Sequence, residues 1–196
     1  MTLARRAVSP GLRPSRGVVE RRASTLRRIG PDLHSTLTLA GGEATERLAR
    51  AFAPHLGPGD LLGLTGGLGA GKSTFARALI TARLDALGRP EDIPSPSYTL
   101  VQIYDLGTPS RLLELWHVDL YRLGSAGEIA ELGLEEAFGD AICLVEWADR
   151  LGPALPKRRL MLGLEIPPGD DDVRRARIEA RGPGWDWLPA ALGAAA

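Results

Sequence analysis

The sequence has no asparagine, one cysteine and two lysines, and its charges cancel to +0. Each shortage excludes something. A lone cysteine, Cys143, rules out an intrachain disulfide; it lies in an apolar run with no activating neighbour, so it reads as a small core residue and not a reactive thiol. Without asparagine there is no N-K-x-D element to select guanine, which argues against a GTPase switch. Balanced charge provides no chain-wide basic field for nucleic acid. No apolar run approaches the ~20 residues of a membrane helix. The reading is a soluble, cytoplasmic protein with no membrane partner. At 196 residues and 44% hydrophobic content, the chain is long enough for one domain with a substantial core.

One of the two lysines, Lys72, falls in the stretch Gly66-Gly-Leu-Gly-Ala-Gly-Lys-Ser-Thr74. It fits G-x-x-x-x-G-K-[ST], the loop that cradles nucleotide phosphates. Its glycines let the backbone turn its N–H groups inward as an anion nest. Gly66, Gly67, Leu68, Gly69, Ala70, Gly71, Lys72, Ser73 and Thr74 are therefore the expected phosphate-binding residues. Lys72 supplies a compact positive charge, and the Ser73 hydroxyl suits Mg²⁺. Residues 60–65 read as a buried strand entering the loop and residues 73–87 as a helix leaving it, the arrangement the motif requires.

Around this centre the pattern predicts an α/β fold. It is a single P-loop NTPase domain with a mixed, mainly parallel sheet, flanked by helices and edged by antiparallel strands. The domain is placed at residues 32–181. Before it, residues 1–31 carry eight arginines and one acid, Glu20, without apolar periodicity. They read as a disordered extension; a transit peptide or an RNA-touching arm has the same composition. After it, residues 182–196 are Gly-, Pro- and Ala-rich and read as a loosely attached, flexible tail. Within the domain, strands are expected at 33–39, 97–104, 112–120, 141–145, 160–166 and 174–180. Helices are expected at 43–56 and 128–138, the latter interrupted at Gly133.

A nucleotide hydrolase also needs an acid near its metal and a group that orients water. Two strands end in acids, Asp119 and Glu146, where ligands bind in open α/β sheets. Lys72, Asp119 and Glu146 are the expected catalytic set, and Ser73, Asp119 and Glu146 the expected metal set. His117 shares a strand face with Asp119 and can reach an acid or a phosphate. Ser95, Ser97 and Thr99 offer hydroxyls, Arg122 a cation, and Trp147 a ring near the nucleotide.

Four landmarks stand in order: GGLGAGKSTF (66–75), SPSYTLV (95–101), HVDLYRL (117–123) and ICLVEW (142–147). Over residues 33–181 they resemble the bacterial TsaE (YjeE) family. The resemblance implies a Mg²⁺-dependent ATPase of tRNA threonylcarbamoyladenosine biosynthesis. Its partners would be TsaD-like and TsaB-like proteins, with tRNA reached indirectly through the complex. It also implies that adenine lies between Gly41–Thr45 and Arg174, and that Glu146 stands at the metal. The family commonly has Asp at the position of Gly67. A small-molecule kinase is the alternative, but no arginine-rich lid follows Asp119.

Overall fold

The computed structural model describes residues 25–29, 32–108 and 112–195. The central strand is β3 (Leu61–Thr65), and its Leu61, Leu62 and Leu64 are at most 1% exposed because the sheet is covered on both faces there. β6 (Ile142–Glu146) is buried along its whole length for the same reason. β7 (Arg159–Glu165) lies on the other side of β3, and β5 (Glu114–Asp119) lies beyond β6. These four pair in parallel. Antiparallel strands extend the sheet on both sides. β4 (Val101–Asp105) pairs with β5, and β8 (Val173–Arg181) with β7. β2 (Asp32–Ala40) pairs with β8, and β1 (Thr25–Ile29) with β2. The eight-strand order is β1-β2-β8-β7-β3-β6-β5-β4. β2, β7 and β8 alternate buried and less buried residues, as half-covered strands do.

Helices α1 (Gly41–Phe52) and α2 (Lys72–Asp85) cover one face, burying Leu48 and Phe52 against Phe75, Leu79 and Ile80. Short helices α3 (Ala126–Ala130) and α4 (Leu134–Asp140), with the 3-10 segment Ala148–Ala154, cover the other face over the central strands. The break between α3 and α4 falls at Gly133, which has φ +69°. Ser125 and Glu128 form a reciprocal cap at the start of α3.

The strand expected at 97–104 forms only as β4, Val101–Asp105, with residues 97–99 in a turn ahead of it. Both domain boundaries also differ from the sequence reading. The extension assigned to 1–31 contains β1, whose backbone pairs residue by residue with β2 from Thr25↔Thr36 to Ile29↔Asp32. Five residues with no apolar periodicity carry little strand signal by themselves; pairing to a preformed edge supplies the order. Residues 1–24 lie outside the described residues. The segment 182–196, expected to be a loose tail, is folded onto the domain. Its helix α5 (Leu188–Ala195) buries Leu188, Ala191, Leu192 and Ala195, an i, i+3, i+4, i+7 stripe. Trp185 is 2% exposed, donates from Nε1 to the Arg181 carbonyl at 2.9 Å and lies 4.6 Å from the Arg158 guanidinium. Trp187 meets Phe52 edge-on at 5.3 Å and stacks on His55 at 4.8 Å.

That docking makes a direct prediction. Trp185→Ala removes a buried aromatic and is expected to destabilise the fold by about 3 kcal/mol. Urea unfolding measures it, and a midpoint equal to the parent protein's would contradict the packed C-terminal segment.

Candidate functional site

β3 ends at Thr65 and the chain turns into the loop at Gly66, with φ +128°. A Cβ at Gly66 would stand 2.1 Å from the Leu164 carbonyl oxygen, so the loop can leave the sheet here only on glycine. Gly71, with φ +105°, opens α2, and the positive N-terminal end of that 14-residue helix faces back into the loop. A Cβ on Gly67 would meet nothing within 4 Å. Space for a Cβ is therefore not what requires glycine at position 67.

Lys72 donates from Nζ to the carbonyls of Gly66 and Gly67, at 2.8 and 2.7 Å. The Trp147 ring covers the same ammonium, 3.7 Å from the ring centroid. Burial draws the Lys72 amine below its ordinary pKa, opposed by Glu146, Asp119 and Asp149. Trp147 reaches this position through a left-handed backbone, φ 59° and ψ 40°, unusual for a large side chain. Its ring also meets Tyr121 at 5.0 Å, and Arg150 lies over both rings.

The two acids are neighbours because β5 and β6 are parallel and in register, with Asp119 opposite Glu146. Each is almost fully buried, and each carboxylate oxygen accepts a hydrogen bond. Glu146 Oε2 accepts from Ser73 Oγ at 2.7 Å, and Glu146 Oε1 lies 2.9 Å from His117 Nε2. Asp119 Oδ2 accepts from Ser97 Oγ at 2.6 Å and Oδ1 from the Tyr121 N–H at 2.9 Å. Ser95 and Ser97 are linked at 2.9 Å. The Asp119 N–H donates to the carbonyl of Leu100, which has φ 67°.

These groups surround a cavity of about 230 Å³ lined by Leu68, Gly69, Ala70, Gly71, Lys72, Ser73, Thr74, Ser97, Asp119, Tyr121, Glu146 and Trp147. A hydroxyl and two carboxylates are hard oxygen donors of the kind Mg²⁺ prefers. Among the described residues no three His, Cys, Asp or Glu side chains form a metal cage.

On the far side of the loop, Arg174 braces it from β8. Its Nε and Nη2 donate to the carbonyls of Ala70 and Gly69, and its Nη1 to those of Asp171 and Val173. The start of α1 is tied to the same corner by a bond from the Gly41 N–H to the Asp172 carbonyl. Thr45 is buried, with its methyl 3.9 Å from where a Cβ on Gly71 would stand. Gly41, Thr45 and Arg174 are therefore brought to one corner of the loop. Thr99 and Arg122 are not among the cavity residues; both are exposed, and Arg122 lies over the Tyr98 ring.

The sequence reading did not find the Arg150 stack, the Lys72–Trp147 contact or the positive φ of Leu100. No spacing signals them. A left-handed Leu or Trp is imposed by tertiary context and leaves no mark on composition.

A family model described as threonylcarbamoyl adenosine biosynthesis protein TsaE matches residues 39–176. The chain belongs to the TsaE family. The tRNA threonylcarbamoyladenosine biosynthesis protein TsaE of Bacillus subtilis is 37% identical over 147 residues, covering 74% of this chain and 85% of that protein. The protein of the same description from Rickettsia bellii is 38% identical over 146 residues, covering 74% and 95%. The crystal structure of Bacillus subtilis YdiB superposes with a TM-score of 0.63 at 30% identity, covering 87% of this chain and 97% of that one. The TsaE family is one of tRNA threonylcarbamoyladenosine biosynthesis and is nucleotide-binding. Among the described residues no helix is long and apolar enough to cross a membrane.

The Arg174 brace is testable. Arg174→Ala removes two donors from the loop carbonyls and is expected to weaken binding of a fluorescent ATP analogue by about 2 kcal/mol, roughly thirtyfold. Arg174→Lys should recover little, because one ammonium cannot copy a planar fork. Unchanged affinity in the alanine variant would sink the brace as a determinant of loop geometry.

Proposed function

We propose that the chain binds ATP with Mg²⁺ and hydrolyses it slowly. It would do so as a subunit of the machinery that forms threonylcarbamoyladenosine beside the tRNA anticodon, with TsaD-like and TsaB-like partners raising its turnover. The observation that carries this reading is the bond between Ser73 and Glu146. It joins the hydroxyl of the phosphate loop to a strand-end carboxylate at the cavity wall. A phosphate-binding loop alone would need no such acid.

The roles follow from position. The loop N–H groups and Lys72 hold phosphate oxygens, and the α2 N-terminus adds its partial charge. Ser73, Glu146 and Asp119 would hold Mg²⁺ on the inner side of the cavity. When bound, the ion neutralises charge between the phosphates. Either Asp119, tied to Ser97, or Glu146, tied to Ser73, would orient the attacking water. The Gly41–Thr45 corner and Arg174 would receive the adenine. Since the Arg174 donors point at carbonyls in its own plane, a base would meet the face of the guanidinium. None of the described residues lining the cavity is an arginine. Nothing there plays the part of a finger that stabilises transferring charge, which is why turnover alone should be low and a partner should complete the site. The partners connect the chain to tRNA, and they would act in the cytoplasm.

The decisive assay is Mg²⁺-dependent phosphate release from ATP by the chain, alone and with the TsaD-like and TsaB-like pair. Turnover should be slow alone and rise with the pair. Glu146→Ala should lower it at least about a hundredfold while the fold remains intact, in line with loss of a preorganised charged group. Turnover indifferent both to the pair and to Glu146 would overturn the reading.

A further inference from the structure

His117 has no exposed surface and does not line the cavity. It lies on β5 opposite Leu144 of β6, on the same strand face as Leu115 and Asp119. Its Nε2 is 2.9 Å from Glu146 Oε1, and its buried Nδ1 has no hydrogen-bond partner among the described residues. A carboxylate oxygen that already accepts from Ser73 through its twin offers His117 only lone pairs. The proton of the ring therefore sits on Nε2 and is donated to Oε1, leaving the Nδ1 lone pair unmatched. Nature rarely leaves a buried polar atom orphaned without reason. Here the ring is turned toward Glu146 at the expense of its other nitrogen.

We propose that His117 is a positioning residue for Glu146. It fixes Oε1 so that Oε2 remains on Ser73, and so sets the direction in which the carboxylate meets a metal-bound nucleotide. The proposal rests on the reading of Glu146 and Ser73 given above. The geometry is specific. Donors on opposite oxygens mean that the carboxylate cannot rotate without loosening both bonds. The chain His117–Glu146–Ser73 also joins β5, β6 and the first turn of α2, three elements that no local sequence links. It is not a Ser-His-acid hydrolytic triad. Ser73 bonds to the acid and not to the imidazole, so no base is placed to take the serine proton. The arrangement matches instead the general pattern in which an outer hydrogen-bond partner orients a metal-facing ligand.

The test uses the full chain and three variants. Glutamine places an amide N–H near the Nε2 position, asparagine stops short near Nδ1, and leucine has no donor. Two quantities are read. One is the Mg²⁺ concentration that half-saturates tightening of a fluorescent ATP analogue. The other is kcat and KM for ATP with the partner pair present. For His117→Leu the Mg²⁺ midpoint should rise about tenfold and kcat fall about 10- to 100-fold, with KM for ATP within about threefold. His117→Gln should stay within about threefold of the parent in every reading, and His117→Asn should resemble leucine. Should the leucine variant fail to fold, the glutamine–asparagine contrast decides. Equal behaviour of glutamine and asparagine, or a leucine variant with an unshifted Mg²⁺ midpoint, overturns the positioning role alone. A parent protein whose nucleotide binding ignores Mg²⁺ overturns the nucleotide-hydrolase reading, and this proposal with it.

Discussion

Glu146 is a carboxylate at 1% exposure in the interior of an eight-stranded sheet, and the arrangement around it follows from the need to give each oxygen a donor. An ionised carboxylate stripped of water and left unpaired would be strongly destabilising, and removing one partner from a buried ionic group typically costs 3–5 kcal/mol. The donors come from two elements. Ser73 arrives with the first turn of α2, and His117 arrives with β5. Neither can reach Glu146 unless β3, β5 and β6 end at the same level. The register secures that, with Leu64 and Asp119 both opposite Glu146. The phosphate loop is thus tied to the sheet by its own strand and also by a polar bond beneath its first helical turn.

Legibility in the sequence tracks how local the determinant is. The loop at 66–74 is readable because its chemistry lies in consecutive residues, and the strand before it and helix after it stand where the motif demands. The acids were readable because an apolar run that stops at a carboxylate marks a strand end at a crevice. Their pairing was not: the Ser97–Asp119 and Ser73–Glu146 bonds join residues 22 and 73 positions apart. The C-terminal helix was misjudged because Leu188-Pro-Ala-Ala-Leu-Gly-Ala-Ala195 is small and Gly-interrupted, with little polar contrast. What holds it is packing beside Phe52 and the two tryptophans just ahead of it, and the sequence does not show that those rings dock onto α1.

Two strained residues bracket the site, one contacting Lys72 and the other Asp119. Trp147, the residue after Glu146, turns into the left-handed region and lays its ring over Lys72. Leu100, just before β4, does the same, and its carbonyl then receives the Asp119 N–H. A left-handed side chain other than glycine is unfavourable by roughly 1–2 kcal/mol. Such strain persists only where surrounding contacts over-determine it. Here those contacts are evident. The stack of Lys72, Trp147, Tyr121 and Arg150 holds one turn, and the sheet edge holds the other.

The two acids are adjacent, yet their donor sets are separate, and this has a consequence for how the site can respond. Like charges side by side repel, so each must be stabilised by its own dipoles. Asp119 takes its donors from Ser97 and the Tyr121 backbone, on segments flanking β4 and β5. Glu146 takes its donors from α2 and from within the sheet. Ser97 is bonded in turn to Ser95, in a stretch that is largely exposed and lies at the cavity wall. A displacement of that stretch would change the hydrogen bonding of Asp119 and leave the Ser73–Glu146–His117 chain in place. An arrangement of this kind lets one carboxylate keep a fixed direction for charge neutralisation while its neighbour follows the loop.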